Sequence, residues 1–267
     1  MKIGICSIAY NPGGYTKQQF DSILLHSKHD IVPILFLHNN KYPELINECV
    51  ELTQKYPQIK YFPYGKNRGC GKSGNEGTYL AYVQYGCDIL VAISQDVFFN
   101  TVTAFDDWIE SCKPYINTKY MISRQDPTSP FACWICTKLC VEEVGYMDEN
   151  FFQAQYEDID FFRRCCFRKT GHTEDFWHNT HRVDIPSDST HLNMLSRQVP
   201  GLLNQQQNIT GPKCLHYYIK KWGGGIGQEK FNFPFNNSKF SYMIPYEKCT
   251  NPYGIPYDRT DHDIVKL

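Results

Sequence analysis

Two hydrophobic periods take turns through the first 115 residues, and that alternation limits the fold more than any other feature of the chain. Residues 2–9 carry the two-residue period of a strand. Phe20, Ile23 and Leu24 then recur at helical spacing. Residues 31–37 (Ile-Val-Pro-Ile-Leu-Phe-Leu) are an unbroken apolar run suited to a buried strand. Leu45, Ile46, Cys49 and Val50 mark a second helix. A short strand follows at 59–63, a Gly-rich loop at 65–77, and a third helix around Leu80 and Val83. The run 88–95 is the next strand, and Phe105, Trp108, Ile109 and Cys112 mark another helix. Parallel strands need long crossovers, which helices supply. The alternation therefore predicts an α/β fold with a mostly parallel central sheet and helices on both faces.

From residue 119 the pattern is less regular. Residues 119–124 and 131–137 read as paired strands flanking Asp126-Pro-Thr-Ser-Pro. Ile159, Phe162, Cys165 and Cys166 predict a helix, and residues 170–190 are polar and loop-like. Beyond residue 238 the chain has Pro245, Pro252 and Pro256 and no periodicity, which predicts an irregular C-terminal arm packed on the surface. With no internal repeat and no low-complexity linker, the expectation is one domain over residues 1–237, with halves 1–115 and 116–237, followed by an arm over 238–267.

Bulk properties narrow the function. A net charge of −1 offers no electrostatic footprint for nucleic acid. No run reaches the ~18 apolar residues of a membrane span. Met1-Lys-Ile-Gly-Ile-Cys-Ser-Ile starts a strand and not a signal peptide. Several of the 12 cysteines (Cys49, Cys112, Cys165, Cys166) fall inside apolar patterns, so they read as reduced core thiols of a cytoplasmic protein, with the sequons at Asn208 and Asn236 unmodified. The 19 Tyr, 17 Phe and 4 Trp favour flat ligands and sugars as well as core packing.

The chemistry concentrates in two places. Asp88-Ile-Leu-Val-Ala-Ile-Ser-Gln-Asp96 is an apolar strand that ends on a carboxylate, at the end of an open α/β sheet where ligands bind. Tyr156-Glu157-Asp158-Ile-Asp160 sets three carboxylates within four residues, just ahead of a predicted helix. Such acids are tolerated there because they offset the helix dipole, and Asp160 is spaced to pair with Arg163 or Arg164. Gly69-Cys-Gly71-Lys72-Ser73 imitates the end of a P-loop, but the position that needs the first glycine is Lys66, and Gly74 and Gly77 would fall in the following helix. Cys133-Trp-Ile-Cys136, with Cys140 nearby, lacks the second pair that a structural zinc site requires.

Taken in order, these segments resemble GT-A glycosyltransferases of family 2. Tyr10-Asn11 is similar to the family's aromatic-Asn pair after the first strand. Asn67-Arg-Gly69-Cys-Gly71-Lys-Ser-Gly-Asn75-Glu-Gly77 resembles its Asn-x-Gly…Asn-x-Gly segment, and Ser94-Gln95-Asp96 its Asp-x-Asp. Gly145-Tyr-Met-Asp-Glu-Asn-Phe-Phe with Tyr156-Glu157-Asp158-Ile-Asp160-Phe resembles Gly-x-x-Asp-Glu-x-Phe-Phe…Glu-Asp-x-Asp-Phe. Tyr217-Tyr-Ile-Lys-Lys221-Trp222-Gly-Gly is similar to a C-terminal motif of some members, small enzymes of large DNA viruses among them, for which the host cytoplasm is the expected compartment.

The resemblance implies a metal-dependent, inverting glycosyltransferase. It would move a hexosyl, deoxyhexosyl or pentosyl group from a UDP-, GDP- or dTDP-sugar to a glycan or glycoconjugate. Asp96, with His191 (rivals His178 and His181), would hold Mn²⁺ or Mg²⁺, and Asp158 would be the general base. Tyr10, Asn11, His38, Asn39, Asn67, Gly69, Lys72, Asn75, Ser94 and Gln95 would line the donor pocket. Glu157, Lys221 and Trp222 would meet the acceptor. Two departures stand out: His38-Asn39-Asn40 replaces the Asp that touches the nucleotide base, and Ser94 replaces the first acid of Asp-x-Asp. The alternatives are a catalytically silent sugar-binding module on the same fold and, behind it, a P-loop NTPase.

Overall fold

The computed structural model describes residues 1–124, 131–152, 154–170, 180–183, 189–192 and 210–255. They gather into two compact units. One comprises Met1–Asn67, Glu76–Leu139 and Thr180–Val199; the other comprises Arg68–Asn75, Cys140–Asn179 and Pro200–Leu267.

The first unit is built on a sheet. Its strands are β1 (Lys2–Ala9), β2 (Asp30–Leu37), β3 (Lys60–Pro63), β4 (Ile89–Ile93), β6 (Met121–Arg124), β7 (Cys133–Cys136) and β8 (Thr180–Val183), in the order β3-β2-β1-β4-β7-β6-β8. The first four run parallel, with Ile5 opposite both Pro33 and Val91, while β7 is antiparallel to β4 and β6. A second, two-stranded ribbon pairs β5 (Val97–Phe99) with β9 (Ser189–His191). Helices α1 (Tyr15–Leu24), α2 (Pro43–Lys55) and α4 (Ala104–Cys112) follow β1, β2 and β5.

The pleat explains why both faces are covered. Ile3 and Ile5 point into a core shared with Ile23 of α1 and with Phe105, Trp108 and Ile109 of α4. Leu35 and Leu37 of β2 meet Leu45, Cys49 and Leu52 of α2. Each such side chain contributes about 1.5–3 kcal/mol of burial. Cys6 points to the opposite face, onto the helix α3 (Cys70–Tyr79) that continues into a π-helical turn at Leu80–Gln84. There the chain comes so close that a methyl group on Gly77 would overlap the Cys6 sulfur.

That contact corrects one expectation. The stretch read as a loop over 65–77 is helical from Cys70, with Gly71, Gly74 and Gly77 inside the helix. Glycine disfavours a helix by about 1 kcal/mol against Ala, yet here a smaller side chain is what lets the helix reach the sheet. A second correction concerns residues 170–190, which contain β8 and part of β9. Their Thr-His-Arg-Val and Ser-Thr-His segments have no strand-like period and owe their form to pairing with β6 and β5.

The second unit carries α6 (Glu157–Thr170) and α7 (Gly211–Trp222), with most of the short α5 (Lys138–Glu143). Phe151, Cys214, Tyr217, Tyr218 and Trp222 form its core. The acid cluster lies within the first turn of α6, one step further into the helix than expected. The arm is less peripheral than its composition suggests. Ile244 is buried and bridges Gly145, donating its N–H to Val144 O and accepting from Tyr146 N at 2.8 Å. Gly145 has φ +78° and its Cα faces the Ile244 main chain, so a side chain there would collide with backbone. All twelve cysteines carry free thiols, and Cys133, Cys136 and Cys140 are buried in or beside β7.

Candidate functional site

Parallel strands end together, and three loops of the first unit therefore converge at the carboxyl ends of β1, β2 and β4. Gln95 ties them. Its Oε1 accepts the main-chain N–H groups of Tyr10 (3.0 Å) and Asn11 (2.9 Å), and its Nε2 donates to Asn11 O and Thr16 Oγ1, both at 2.7 Å. Asn39 Nδ2 donates to Tyr10 O at 3.0 Å, and His38 N to Ala9 O at 3.0 Å. Gln19 of α1 donates to Ser94 O and to Val97 O, fixing the turn that carries Gln95 and Asp96. The His38 ring lies beside Phe36 and Tyr64, whose hydroxyl donates to Glu76. Asn11 is buried and, among the described residues, its Oδ1 has no hydrogen-bond donor.

Asp96 follows directly and is 9% exposed. Its carbonyl accepts Leu192 N at 3.1 Å, and Val97 stands opposite His191 in the β5–β9 ribbon. The main chains of Asp96 and His191 are thus neighbours, although far apart in sequence. The described part of His191, as of the rival His181, is its backbone; His178 lies outside the described residues. Among the described residues no group of three or more His, Cys, Asp or Glu side chains is disposed to hold a metal ion. A hard divalent ion suits this donor set all the same. Mg²⁺ and its kin are held by one or two carboxylates, with the remaining positions filled by water and substrate phosphates. The Asp96 carboxylate and the unpartnered Asn11 Oδ1 are oxygen donors of that type.

In the second unit the cluster is entered through a strained turn. Gln155 (φ 91°) and Tyr156 (φ 70°) both adopt the left-handed region without being glycine, at about 1–3 kcal/mol each. Strain of this kind persists where surrounding structure enforces it, and it is concentrated at functional sites. The three acids that follow have three different environments. Asp158 is half-buried and accepts the N–H of Ile159 at 2.8 Å; burial raises its pKa. Glu157 is 7% exposed and its Oε2 has no partner. Burial first, and the Asp158 charge second, push its carboxyl up to about 8. Asp160 is fully buried, which alone would raise its pKa, but Lys221 and Arg164 hold it below the usual carboxylate range.

Those partners form a closed network. Asp160 takes Lys221 Nζ at 2.6 Å, Arg164 Nε at 3.1 Å and Trp222 Nε1 at 2.9 Å. Lys221 also reaches Asp148 at 2.9 Å, which Tyr217 OH joins at 2.9 Å. Arg164 donates to the carbonyls of Val144, Tyr146 and Tyr242. Burial works against the Lys221 charge, but Asp148 and Asp160 more than restore it.

Lys221 and Trp222 are both 0% exposed, so the geometry corrects their assignment to an acceptor: they are internal ties of α7 to α6. Asn75 is corrected likewise. It exchanges two hydrogen bonds with the Met147 main chain (2.7 and 2.9 Å) and is buried. Lys72 stands 3.8 Å from Glu149, and Gly69 O caps α3 by accepting Ser73 N. Glu157 turns its carboxyl into the protein. The expected Asp160–Arg164 pair is present. Asp148, within the Gly145–Phe152 motif, is the second anion of the network.

The four parallel strands, the antiparallel β7 and the flanking helices make the fold GT-A-like, the α/β architecture of nucleotide-diphospho-sugar transferases. Among solved structures, the chain is similar to the mannosyltransferase PcManGT from Pyrobaculum calidifontis, determined with GDP-Man and Mn²⁺. That likeness has a TM-score of 0.50 and 9% identity, and it covers 68% of this chain and 54% of that one. S. aureus TarS 1–349 in complex with UDP aligns at TM-score 0.46 and 14% identity, over 61% of this chain and 54% of that one. The same protein with UDP-GlcNAc aligns at 0.44 and 13%, over 60% and 52%. The chain thus spans about half the length of each structure. The sequence matches no family model and no curated protein.

Proposed function

We propose that this chain is a metal-dependent, inverting glycosyltransferase of the family 2 type, taking a sugar from a nucleoside diphosphate to a hydroxyl of a glycan or glycoconjugate. The observation that carries this reading is the convergence of Tyr10–Asn11, His38–Asn39 and Gln95–Asp96 at three adjacent strand ends, locked by Gln95. Ligands of open α/β sheets bind at that edge. His38 and Asn39 would face the base, and the main chain fixed by Gln95 would orient the ribose and diphosphate.

Asp158 would act as base. Its carboxylate takes the proton of the acceptor hydroxyl as that oxygen bonds to the anomeric carbon. The bond from this carbon to the diphosphate oxygen breaks, and its electron pair leaves with the nucleoside diphosphate. A divalent ion held by Asp96 and His191 would supply positive charge against that leaving group. Single displacement inverts the anomeric centre.

A panel of UDP-, GDP- and dTDP-sugars, each with and without Mn²⁺, tests the reading by thermal shift and by release of free nucleotide. Ligand at a hundredfold excess over its Kd stabilises by about 2.7 kcal/mol, which a melting curve resolves. The expected outcome is one nucleotide class that stabilises with Mn²⁺, less so in Asp96→Asn, and turns over with acceptor. Stabilisation without turnover would favour the silent binding module. No response to any nucleotide sugar would refute both.

A further inference from the structure

We infer that Glu157 enters the working state as a neutral acid, a proton-holding positioning residue that spares Asp158 a second, unpaired carboxylate charge beside it at the start of α6. The role of Asp158 rests on the function proposed above; the state of Glu157 does not.

The geometry has four parts. Glu157 is more than nine-tenths buried, and its Oε2 has no hydrogen-bond partner among the described residues. Gly71 of α3 lies against its Cβ and Cγ, with Asp148 O beside them. The groups that face it are Asp158 on its own helix, Cys70 on α3 and Cys214 on α7, none of them a cation. The left-handed pair Gln155–Tyr156 turns the chain into this position at a conformational cost. A buried carboxylate with no cation is costly, and the cheaper state keeps its proton. Burial pushes the Cys214 thiol upward as well, with Glu157 adding to the shift, so both buried groups prefer to be neutral.

The contrast with Asp160 sharpens the assignment. Three positions further on, another buried acid has two cations and an indole N–H, and it ionises. Asp158 sits between them, half-buried, with the Ile159 amide donating to it. Were Glu157 to ionise, a second, unpaired charge would lie beside the base. The first turn of α6 would then have to open to water to solvate it, displacing Asp158.

The sign of the pH effect follows. A carboxyl whose folded pKa is raised stabilises the native state fully below its unfolded pKa, near 4.5, and that stability is lost as pH rises to about 8. The test compares melting temperatures of the full chain and Glu157→Gln from pH 5 to 9. The variant should gain on wild type steadily up to about pH 8, after which the two curves run parallel. A constant difference across the range overturns the inference. Glu157→Met, neutral and of similar length, repeats the comparison if the amide fails to fold. Infrared spectra of wild type supply the same answer with no variant, as a protonated-carboxyl carbonyl band at pH 7 that vanishes above pH 9; its absence at pH 7 overturns the inference. If transfer is detected, the turnover ratio between pH 9 and pH 7 should fall at least fivefold in wild type and less than twofold in Glu157→Gln. Equal ratios would overturn the positioning role alone. If no transfer occurs, the function proposed above fails while the melting and infrared arms still decide the state of Glu157.

Discussion

The two units bury polar groups in opposite ways. At the strand ends of the first unit, Gln95, Asn39 and Gln19 are neutral amides that hold main-chain groups. In the second, Asp148, Asp160, Arg164 and Lys221 are full charges wholly removed from water. A neutral amide lost from its site leaves one or two unpaired dipoles, a local injury. An ion lost from a closed charge network leaves an uncompensated charge, and the whole unit must respond. The first arrangement suits a surface that adapts to a ligand, the second a frame that holds a reactive group still.

Substitutions can break or sharpen that contrast. Asp158→Asn should have the largest effect, a loss of turnover on the order of 10²–10⁴-fold under saturating donor, with urea-unfolding stability within about 1 kcal/mol of wild type. Turnover kept at the wild-type rate would remove Asp158 from the reaction. Lys221→Ala should cost about 3–5 kcal/mol of stability in the same denaturant titration, because Asp148 and Asp160 lose their shared cation. A cost under about 1 kcal/mol would mean that water or Arg164 takes over. Gln95→Ala should cost less, about 1–3 kcal/mol for the freed Tyr10 and Asn11 amides, and should raise the donor KM more than it lowers kcat. The smallest change is Tyr253→Phe. That hydroxyl is buried without a partner while its ring lies over Lys221 (4.7 Å), so removing the oxygen should shift stability by less than about 1 kcal/mol, in the stabilising direction.

These effects track what could be read from residue order alone. The strands β2 and β4 were plain because buried parallel strands are written as apolar runs, β1 because its residues alternate, and α2 and α4 because their stripes recur at helical spacing. β8 and β9 were invisible, since their partners and not their side chains make them strands. α3 was hidden by three glycines, of which Gly77 is the one its approach to the sheet requires. At the site, the Asp160–Arg164 pair followed from spacing, while Lys221, expected to meet the acceptor, is fully buried. A signal was present: Cys214, Tyr217, Tyr218 and Lys221 share one helical stripe, and the first three are apolar or aromatic. Its partner Asp148 lies in a loop, and no periodicity links a loop acid to a distant helix.

The bridge between Gly145 and Ile244 has a consequence for biogenesis. While the ribosome is still adding residues, the segment that leads into α6 has no strand-like partner, and Arg164 lacks the Tyr242 carbonyl. The acid-bearing helix gains these ties only once the chain has grown 78 residues beyond Arg164, and a nascent chain stalled before Tyr242 should leave that helix open to protease.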